Sequence, residues 1–431
     1  MLLSEKNYLN VWLFLGLFFI FFLPPLDPDL GWQLRCGQQI WQTGQICSDN
    51  HFSILLANYH WPNSHHFYQI LIYPFYRVFG LFGLSFLNGL LLATTFFLFT
   101  RLSGSRQLKI IFLPLIILFS WSVFGLGLRS QLFSLFYLVL LLYLKQKSHL
   151  FLIPIVVWLW TNTHGSFILG LLILPFLGSP LVALISLLVT FFNPFGYQLY
   201  MEAYRHFFTA GLDKLIAEWV PPASLFQVLI VVLFLAAAYR AKNLFNFLLL
   251  TAFTCLALKA RRNLDYFFVF VFYLLSSLRL KSPLISLISL ISPISLLCFG
   301  LLLQLPRTLL TQPFAKYPQQ ATAFLATQPA GNIFNTYEIG GYLIWRLPEF
   351  KIFVEGRMPA WPTPENKSPY TIYLETLQAQ PGWQETLAKY QIKYLFISPG
   401  TFLDLLLQPA PNQYHYQELY RDLQAVIYQK E

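Results

Sequence analysis

VWLFLGLFFIFFLPPLDPDLGWQ, residues 11–33, joins an uncharged apolar run to a Pro24-Pro25 break and then to two carboxylates, Asp27 and Asp29. A membrane helix needs about 20 apolar residues, within a range of about 17–25, and the run Val11–Leu26 with its flank (8–26) meets that length. No small-residue cleavage site follows it, so it reads as a retained membrane helix and not as a cleaved signal peptide. Everything else in the fold follows from where this first helix ends and which side its acidic loop takes.

The composition extends the pattern along the chain. Hydrophobic residue types make up 56% of the 431 residues and charged types 11%, whereas a soluble domain carries about 25% charged residues. The formal charge of +10 (28 Lys and Arg against 18 Asp and Glu) is scattered in twos and threes between apolar runs. It is not gathered on one face, which excludes a nucleic-acid interface. Counting apolar stretches gives about eleven transmembrane helices, at 8–26, 84–101, 109–125, 130–145, 148–162, 165–178, 179–193, 224–240, 243–259, 264–280 and 284–304. The Tyr-rich segment 67–80 is short and reads as interfacial. With the N-terminus cytoplasmic, the loops carrying Arg101/Arg106/Lys109, Lys145/Lys147, Arg240/Lys242 and Arg279/Lys281 all fall inside, as the positive-inside rule asks. The loops 27–66 and 193–223, the turn at Arg129, the Asn162-Thr163-His164 junction and the tail from about 305 then fall outside. Lys259, Arg261 and Arg262 break the rule by lying on that outer face, and charges so placed are expected to have a task such as holding an anion.

From Pro306 the charge density rises and the apolar runs shorten. Ile333–Tyr337, Tyr342–Leu347, Lys351–Glu355 and Tyr394–Ser398 read as strands, segments near 365–380 and 383–391 as helices, and Gly340-Gly341 and Gly356 as turns. The expected organisation is a polytopic α-helical membrane domain over 1–305 and a small extracytoplasmic α/β domain over 306–431.

Several polar residues stand where chemistry is expected. Asp27 and Asp29, two apart around Pro28 in an extended segment, point the same way, and paired acids at a membrane surface suit general-base work or a divalent cation. A solvated helix end with a capping Asp is the structural alternative. Residues 31–44 read as a short amphipathic helix with Trp32 and Trp41 as interfacial anchors. Cys36 and Cys47 share the same loop and either form a disulfide in an oxidising compartment or remain free thiols; Cys255 and Cys298 lie in apolar runs as packing residues. His51, His60, His65 and His66 also share the loop. No pair has the i, i+4 spacing of helical zinc sites, so no metal ligands are assigned. Arg129 suits a phosphate clamp or an ordinary interfacial role. Asn162 and His164 interrupt a long apolar stretch, as functional or helix-breaking groups do, and Glu218 closes the long loop.

In order along the chain, Asp27-Pro28-Asp29, Trp32, Leu34, Gly37, Ile40, Gly44, Asp49, Phe52-Ser53, Arg129 with Gln131, Asn162 with His164-Gly165, Asn193-Pro194-Phe195-Gly196, Glu218-Trp219, Gly340-Gly341-Tyr342 and Glu355-Gly356-Arg357 resemble a bacterial group of GT-C-type polytopic membrane glycosyltransferases. Departures are Gly31 where the group has Trp, Gln33 for His, Glu355 for Asp, and His65-His66 in place of a His-Glu-Trp-like segment. The resemblance implies a sugar donor linked to a polyprenyl phosphate, an unidentified acceptor, membrane lipid as a partner, and residence in the inner (plasma) membrane. Asp27 or Asp29 would act as base or help hold a metal. Arg129, Arg261 and Arg262 would hold the phosphate leaving group with help from His164, and Trp32, Asn162 and Glu218 would bind substrate. Two other classes fit parts of the pattern: a transporter or flippase of a lipid-linked or anionic solute, and a non-catalytic scaffold of the same shape. Transporters place ionisable groups at the midplane and show repeats; here the acids lie at helix ends and no repeat is evident.

Overall fold

The computed structural model describes residues 5–177, 179–209, 216–241, 243–276, 278, 298–311, 314, 316–364 and 367–431. Most of the expected span 284–304, together with Lys242, Arg279 and Lys281, lies outside the described residues. The chain packs into two units: Met1–Leu26, Pro74–Ala203 and Thr209–Thr311 form one, and Asp27–Tyr73, Tyr204–Phe208 and Gln312–Glu431 the other.

The first unit is helical. Its helices include Glu5–Ile20, Arg106–Phe119, Ser130–Gln146, Ile153–Thr161, Phe167–Ile173, Pro180–Val189, Ser224–Ala238, Leu244–Lys259 and Leu264–Leu275. Among the described residues one helix, His66–Arg101, is long and apolar enough to cross a membrane by itself; the other apolar helices run 10–17 residues. Eleven full-length spans are therefore not what the helices show, and polar or small residues are the reason. Ser120 ends Arg106–Phe119, Asn162 ends Ile153–Thr161, and Thr190 ends Pro180–Val189. The segment 67–80 is helical and stands apart from 81–101. Within the 36-residue helix, Gly80 takes φ 60° and ψ −147° and divides the element in two.

Aromatic packing holds the core of this unit. Phe21 stacks on Phe96 at 5.2 Å between ring centroids, and Phe124 meets both edge-on at 5.9 and 5.8 Å. Without a hydrophobic drive between helices in lipid, such van der Waals contact is the main source of association. Leu181, Leu184 and Leu188 on one outer helix, and Leu225, Val228, Val232 and Leu235 on another, are exposed. Helices apolar on every side are buried or face lipid, and these leave their apolar faces uncovered. Cys255 and Cys298 are free thiols on exposed positions and not core packing residues.

The second unit is built on a five-stranded sheet of β1 (Asn332–Asn335), β2 (Lys351–Ile352), β3 (Ile392–Ile397), β4 (Tyr416–Arg421) and β5 (Val426–Lys430) in the order β2-β1-β3-β5-β4. β1 pairs parallel with β2 and β3, and β5 pairs antiparallel with β3 and β4. Ile392, Tyr394, Leu395, Phe396 and Ile397 of β3 are all buried, the continuous apolar run that a strand covered on both faces requires. Helices form at Pro369–Leu377, Trp383–Lys389 and Phe402–Leu407. Tyr342–Leu347 is helix, Gly340–Arg346, and not strand. Tyr342, Leu343 and Ile344 are all buried, and a continuous apolar run of that length does not by itself separate strand from helix.

The first loop is part of this sheet unit. The Ile352 N–H donates to the Phe52 carbonyl (3.1 Å) and the Ile54 N–H to the Ile352 carbonyl (2.8 Å), so residues 52–54 extend the β2 edge. Leu30–Thr43 forms the expected short helix, ended by Gly44 at φ 71°. Trp41 lies at its surface and donates to the Ile70 carbonyl (3.0 Å), but Trp32 is buried and does not anchor an interface. Cys36 and Cys47 are joined as a disulfide with Cα atoms 5.4 Å apart.

Candidate active site

Two clusters hold the polar residues singled out by the sequence, one in each unit. In the sheet unit, Asp27 and Asp29 lie in a turn and not in an extended segment. The Leu30 N–H donates to the Asp27 carbonyl (3.1 Å), and the Asp29 N–H donates to Asp27 Oδ1 (3.4 Å). Asp29 precedes the helix Leu30–Thr43 without capping it through its side chain. Asp27 is 5% exposed, while Asp29 is half-buried. The Tyr317 hydroxyl donates to the Asp27 carbonyl (3.4 Å). Burial, and then the Asp27 and Asp29 charges, push the Tyr317 phenol up; burial followed by Asp29 and Glu355 does the same to Tyr337.

Glycines allow the backbone to close around the acids. A Cβ on Gly356 would stand 1.8 Å from Asp29 Oδ1, and a Cβ on Gly31 would stand 1.9 Å from the Gly341 carbonyl oxygen. Gly31, a departure from the GT-C pattern, is thus the residue that the Gly340-Gly341 turn into helix demands. Gln33, another departure, accepts from Gln69 Nε2 (2.8 Å) in a buried amide chain that continues to Asn63 (2.9 Å).

Behind Gly356 sits an ion pair that sequence reasoning did not place among the site residues. Asn335 holds the approach to it, accepting from the Phe353 N–H (2.9 Å) and donating to the Val354 carbonyl (2.9 Å). Arg357 Nε donates to Glu355 Oε1 (2.7 Å), its backbone N–H to Glu355 Oε2 (2.9 Å), and Nη2 to Asn50 Oδ1 (3.3 Å). The side chains of Arg357 and Glu355 are 2% and 0% exposed. The guanidinium lies 5.1–5.5 Å from the ring centroids of Phe52, Trp61, Trp361 and Trp32, where ring faces take the place of water around the charge. Trp61 and Trp361 of this box are isolated tryptophans in polar stretches, whereas Trp32, Phe52 and the Glu355-Gly356-Arg357 motif stand out in the sequence.

In the helical unit, residues far apart in sequence converge on Glu218. Its Oε1 accepts from Arg129 Nη1, and its Oε2 lies 3.9 Å from Arg262 Nη1. Gln131 bridges back, donating to the Arg262 carbonyl (3.1 Å) and accepting from Arg262 Nη2 (3.1 Å). Arg262 also lies over the Trp219 ring at 4.9 Å. Backbone bonds zip the two loops together: the Arg261 N–H donates to the Val220 carbonyl (3.0 Å) and the Arg262 N–H to the Glu218 carbonyl (3.3 Å). Burial alone would raise the Glu218 carboxyl, but Arg129 and Arg262, with Arg261 behind them, outweigh it and hold the group below the usual carboxylate range.

Asn162 and His164 are bound in a neighbouring network of the same unit. Asn162 is buried and donates to the Trp158 carbonyl (2.8 Å), finishing its helix. The Ser166 N–H donates to His164 Nδ1 (3.2 Å), so Nδ1 is an acceptor and the ring proton belongs on Nε2. Ser166 and Ser134 hydroxyls lie 2.7 and 3.1 Å from the same Nδ1, and Trp160 Nε1 donates to Ser134 (3.0 Å). Ser134 stands one helical turn beyond Gln131 on Ser130–Gln146, so one helix serves both the arginine cluster and the imidazole. Among the described residues no three His, Cys, Asp or Glu side chains come together as a metal site requires. No step is assigned to a cation. Of the loop histidines, His60 pairs with Asp49 (2.9 Å) and His66 meets the Asn63 carbonyl (3.0 Å).

No family model and no curated protein matches the chain. Solved structures do. The archaeal oligosaccharyltransferase AglB from Archaeoglobus fulgidus, in complex with an inhibitory peptide and a dolichol-phosphate, matches with a TM-score of 0.58 at 12% identity, over 92% of this chain and 70% of that one. The oligosaccharyltransferase of the same organism in its apo form matches with a TM-score of 0.59 at 11% identity, over 91% and 70%. The form tethered to an acceptor peptide containing the NVT sequon matches with a TM-score of 0.57 at 11% identity, over 91% and 69%. At this identity the likeness is one of fold: the chain folds like the archaeal oligosaccharyltransferase.

Proposed function

We propose that the chain is a multi-pass membrane glycosyltransferase that moves a sugar from a polyprenyl-phosphate-linked donor to an acceptor at the outer membrane face. The observation that carries this reading is the gathering of Arg129, Arg261 and Arg262 around a single carboxylate. Such a cluster matches the phosphate of a departing lipid carrier, and it supplies charge where charge develops as the sugar–phosphate bond breaks. The fold likeness to an oligosaccharyltransferase held with a dolichol-phosphate supports the same donor class. In this reading the chain crosses the membrane more than once, the N-terminus is cytoplasmic, and 306–431 is extracytoplasmic.

Asp29 takes the acceptor's proton while the acceptor oxygen or nitrogen bonds to the sugar carbon and the phosphate leaves with the electrons of the broken C–O bond. Asp29 suits this role better than Asp27, because Asp27 is buried and committed to the turn. His164, whose Nδ1 accepts from the Ser166 N–H, donates to the phosphate through Nε2. Asn162 finishes its helix, and Trp32 is buried beside Arg357.

The test is donor turnover by the full chain in lipid, with a polyprenyl-phosphate sugar and water as acceptor of last resort. Asp29→Asn should lower turnover by at least about a hundredfold, Asp27→Asn by less, and Arg129→Ala or Arg262→Ala should weaken binding of polyprenyl phosphate. Donor binding unaffected by either arginine substitution would sink the leaving-group site. Transport of the lipid across vesicles without sugar release would put a flippase in its place.

A further inference from the structure

Glu218 presents its two oxygens to two arginines, one to Arg129 and the other, more loosely, to Arg262 at 3.9 Å. That is how two oxygens of a phosphate would engage the same pair, since guanidinium forks accept carboxylate and phosphate alike. The arginines are only 12% and 18% exposed, and a buried cation left without a counter-charge is strongly disfavoured. Something must therefore neutralise the cluster before a ligand arrives. Glu218 does so from within the chain, with Trp219 under Arg262 and the 218–220 backbone bonded to 261–262. Among the described residues Asp265, fully buried four residues after Arg261, is another acid near Arg262.

We propose that Glu218 is a resident stand-in for the ligand's phosphate: it keeps Arg129 and Arg262 assembled in the ligand-free protein and yields its place when the phosphate enters. This rests on the reading of the arginines as a phosphate site. Glu218 then works against affinity, because each binding event must displace it, and the cluster never stands open as an uncompensated charge.

The experiment uses the full chain in phosphatidylcholine nanodiscs, with polyprenyl phosphate and, separately, inorganic phosphate as probes. Glu218→Gln, which keeps the shape and removes the charge, should bind polyprenyl phosphate at least about fivefold more tightly than the unchanged chain. Glu218→Asp, which keeps the charge but shortens its reach, should fall between the two and serves where the Gln variant folds poorly. Thermal unfolding gives a second readout. Glu218→Gln should lose stability that inorganic phosphate restores, while the unchanged chain gains less from the same addition. Response to inorganic phosphate would mark the headgroup alone as sufficient; response only to the lipid would assign the rest of the affinity to the chain. Equal or weaker binding by both Glu218 variants, with Arg129→Ala still weakening it, overturns the stand-in and leaves the phosphate site intact. Failure of the unchanged chain and of both variants to bind either probe overturns the phosphate site and the stand-in together.

Discussion

Two of the Arg–Glu pairings among the described residues are chemically alike and differ in how they are held. Glu355 and Arg357 are neighbours in sequence, 0% and 2% exposed, bonded through both side chain and backbone and enclosed by four aromatic rings. Arg129, Glu218 and Arg262 come from three distant segments, retain 12–18% exposure, and include one contact of only 3.9 Å. The first pair has no room for an exchange of partner and fixes the segment that presses Gly356 onto Asp29. The second is loose enough for its anion to be replaced. Burial and geometry, not the identity of the charges, separate the fixed joint from the proposed phosphate site.

The comparison is broken most directly at the enclosed pair. Arg357→Ala leaves Glu355 buried without its partner, and removal of one member of such a pair costs about 3–5 kcal/mol; chemical denaturation of the sheet unit should show it. Arg357→Lys should be nearly as harmful, since an ammonium cannot reproduce the Nε and Nη bonds together. A stable Arg357→Ala protein would show that the pair is not a joint at all.

Next in size is the disulfide. Removing Cys36–Cys47, which closes a separation of 11 residues, should lower the stability of the first loop by about 3 kcal/mol. Protease cleavage within 44–63 under reducing conditions, compared with oxidising conditions, measures this; equal cleavage rates would show that the amide chain of Gln33, Gln69 and Asn63 holds the loop unaided.

Gly356→Ala sharpens the comparison from the catalytic side. Its Cβ overlaps Asp29 Oδ1, and forcing such an overlap costs about 1–3 kcal/mol. The carboxylate must move, so the proposed sugar transfer should fall much further than stability. Proportional loss of both would mean that Asp29 matters only to packing.

The smallest effect is the response of the arginine cluster to acid. The folded Glu218 carboxyl lies below its unfolded value, which for glutamate is about 4.3. Its contribution is therefore complete above that value and is lost as pH falls through the lower, folded one. Unfolding of the helical unit should be insensitive to this group between about pH 5 and 8 and should weaken only under stronger acid. Glu218→Gln should flatten the acid limb; an unchanged limb would remove Glu218 as its source.

Much of the architecture was legible without coordinates. Local composition determined the apolar helices, because lipid and core both select runs of Leu, Ile and Phe, and it marked their ends at Asn162 and near Thr190. It also determined β1 and β3, whose apolar runs are covered on both faces. The β4–β5 hairpin went unread because its strand Tyr416–Arg421 alternates weakly and its turn depends on Asp422 accepting from the Gln424 and Ala425 N–H groups (2.7 and 2.8 Å). Tyr342–Leu347 was misread because a short apolar run does not carry its own period.

For the candidate site the division is sharper. The sequence by itself determined which groups are out of place in an apolar chain: Asp27 and Asp29 at a helix end, Arg129, the 261–262 arginines, His164 and Glu218. Only the tertiary structure decided their partners. It joined Glu218 to arginines 89 residues before it and 44 after it, turned Trp32 inward to Arg357, and set Gly356 against Asp29. Hydropathy is a property of each residue and survives in a linear string. Charge pairing and close approach depend on distances between segments, and those exist only once the chain has folded.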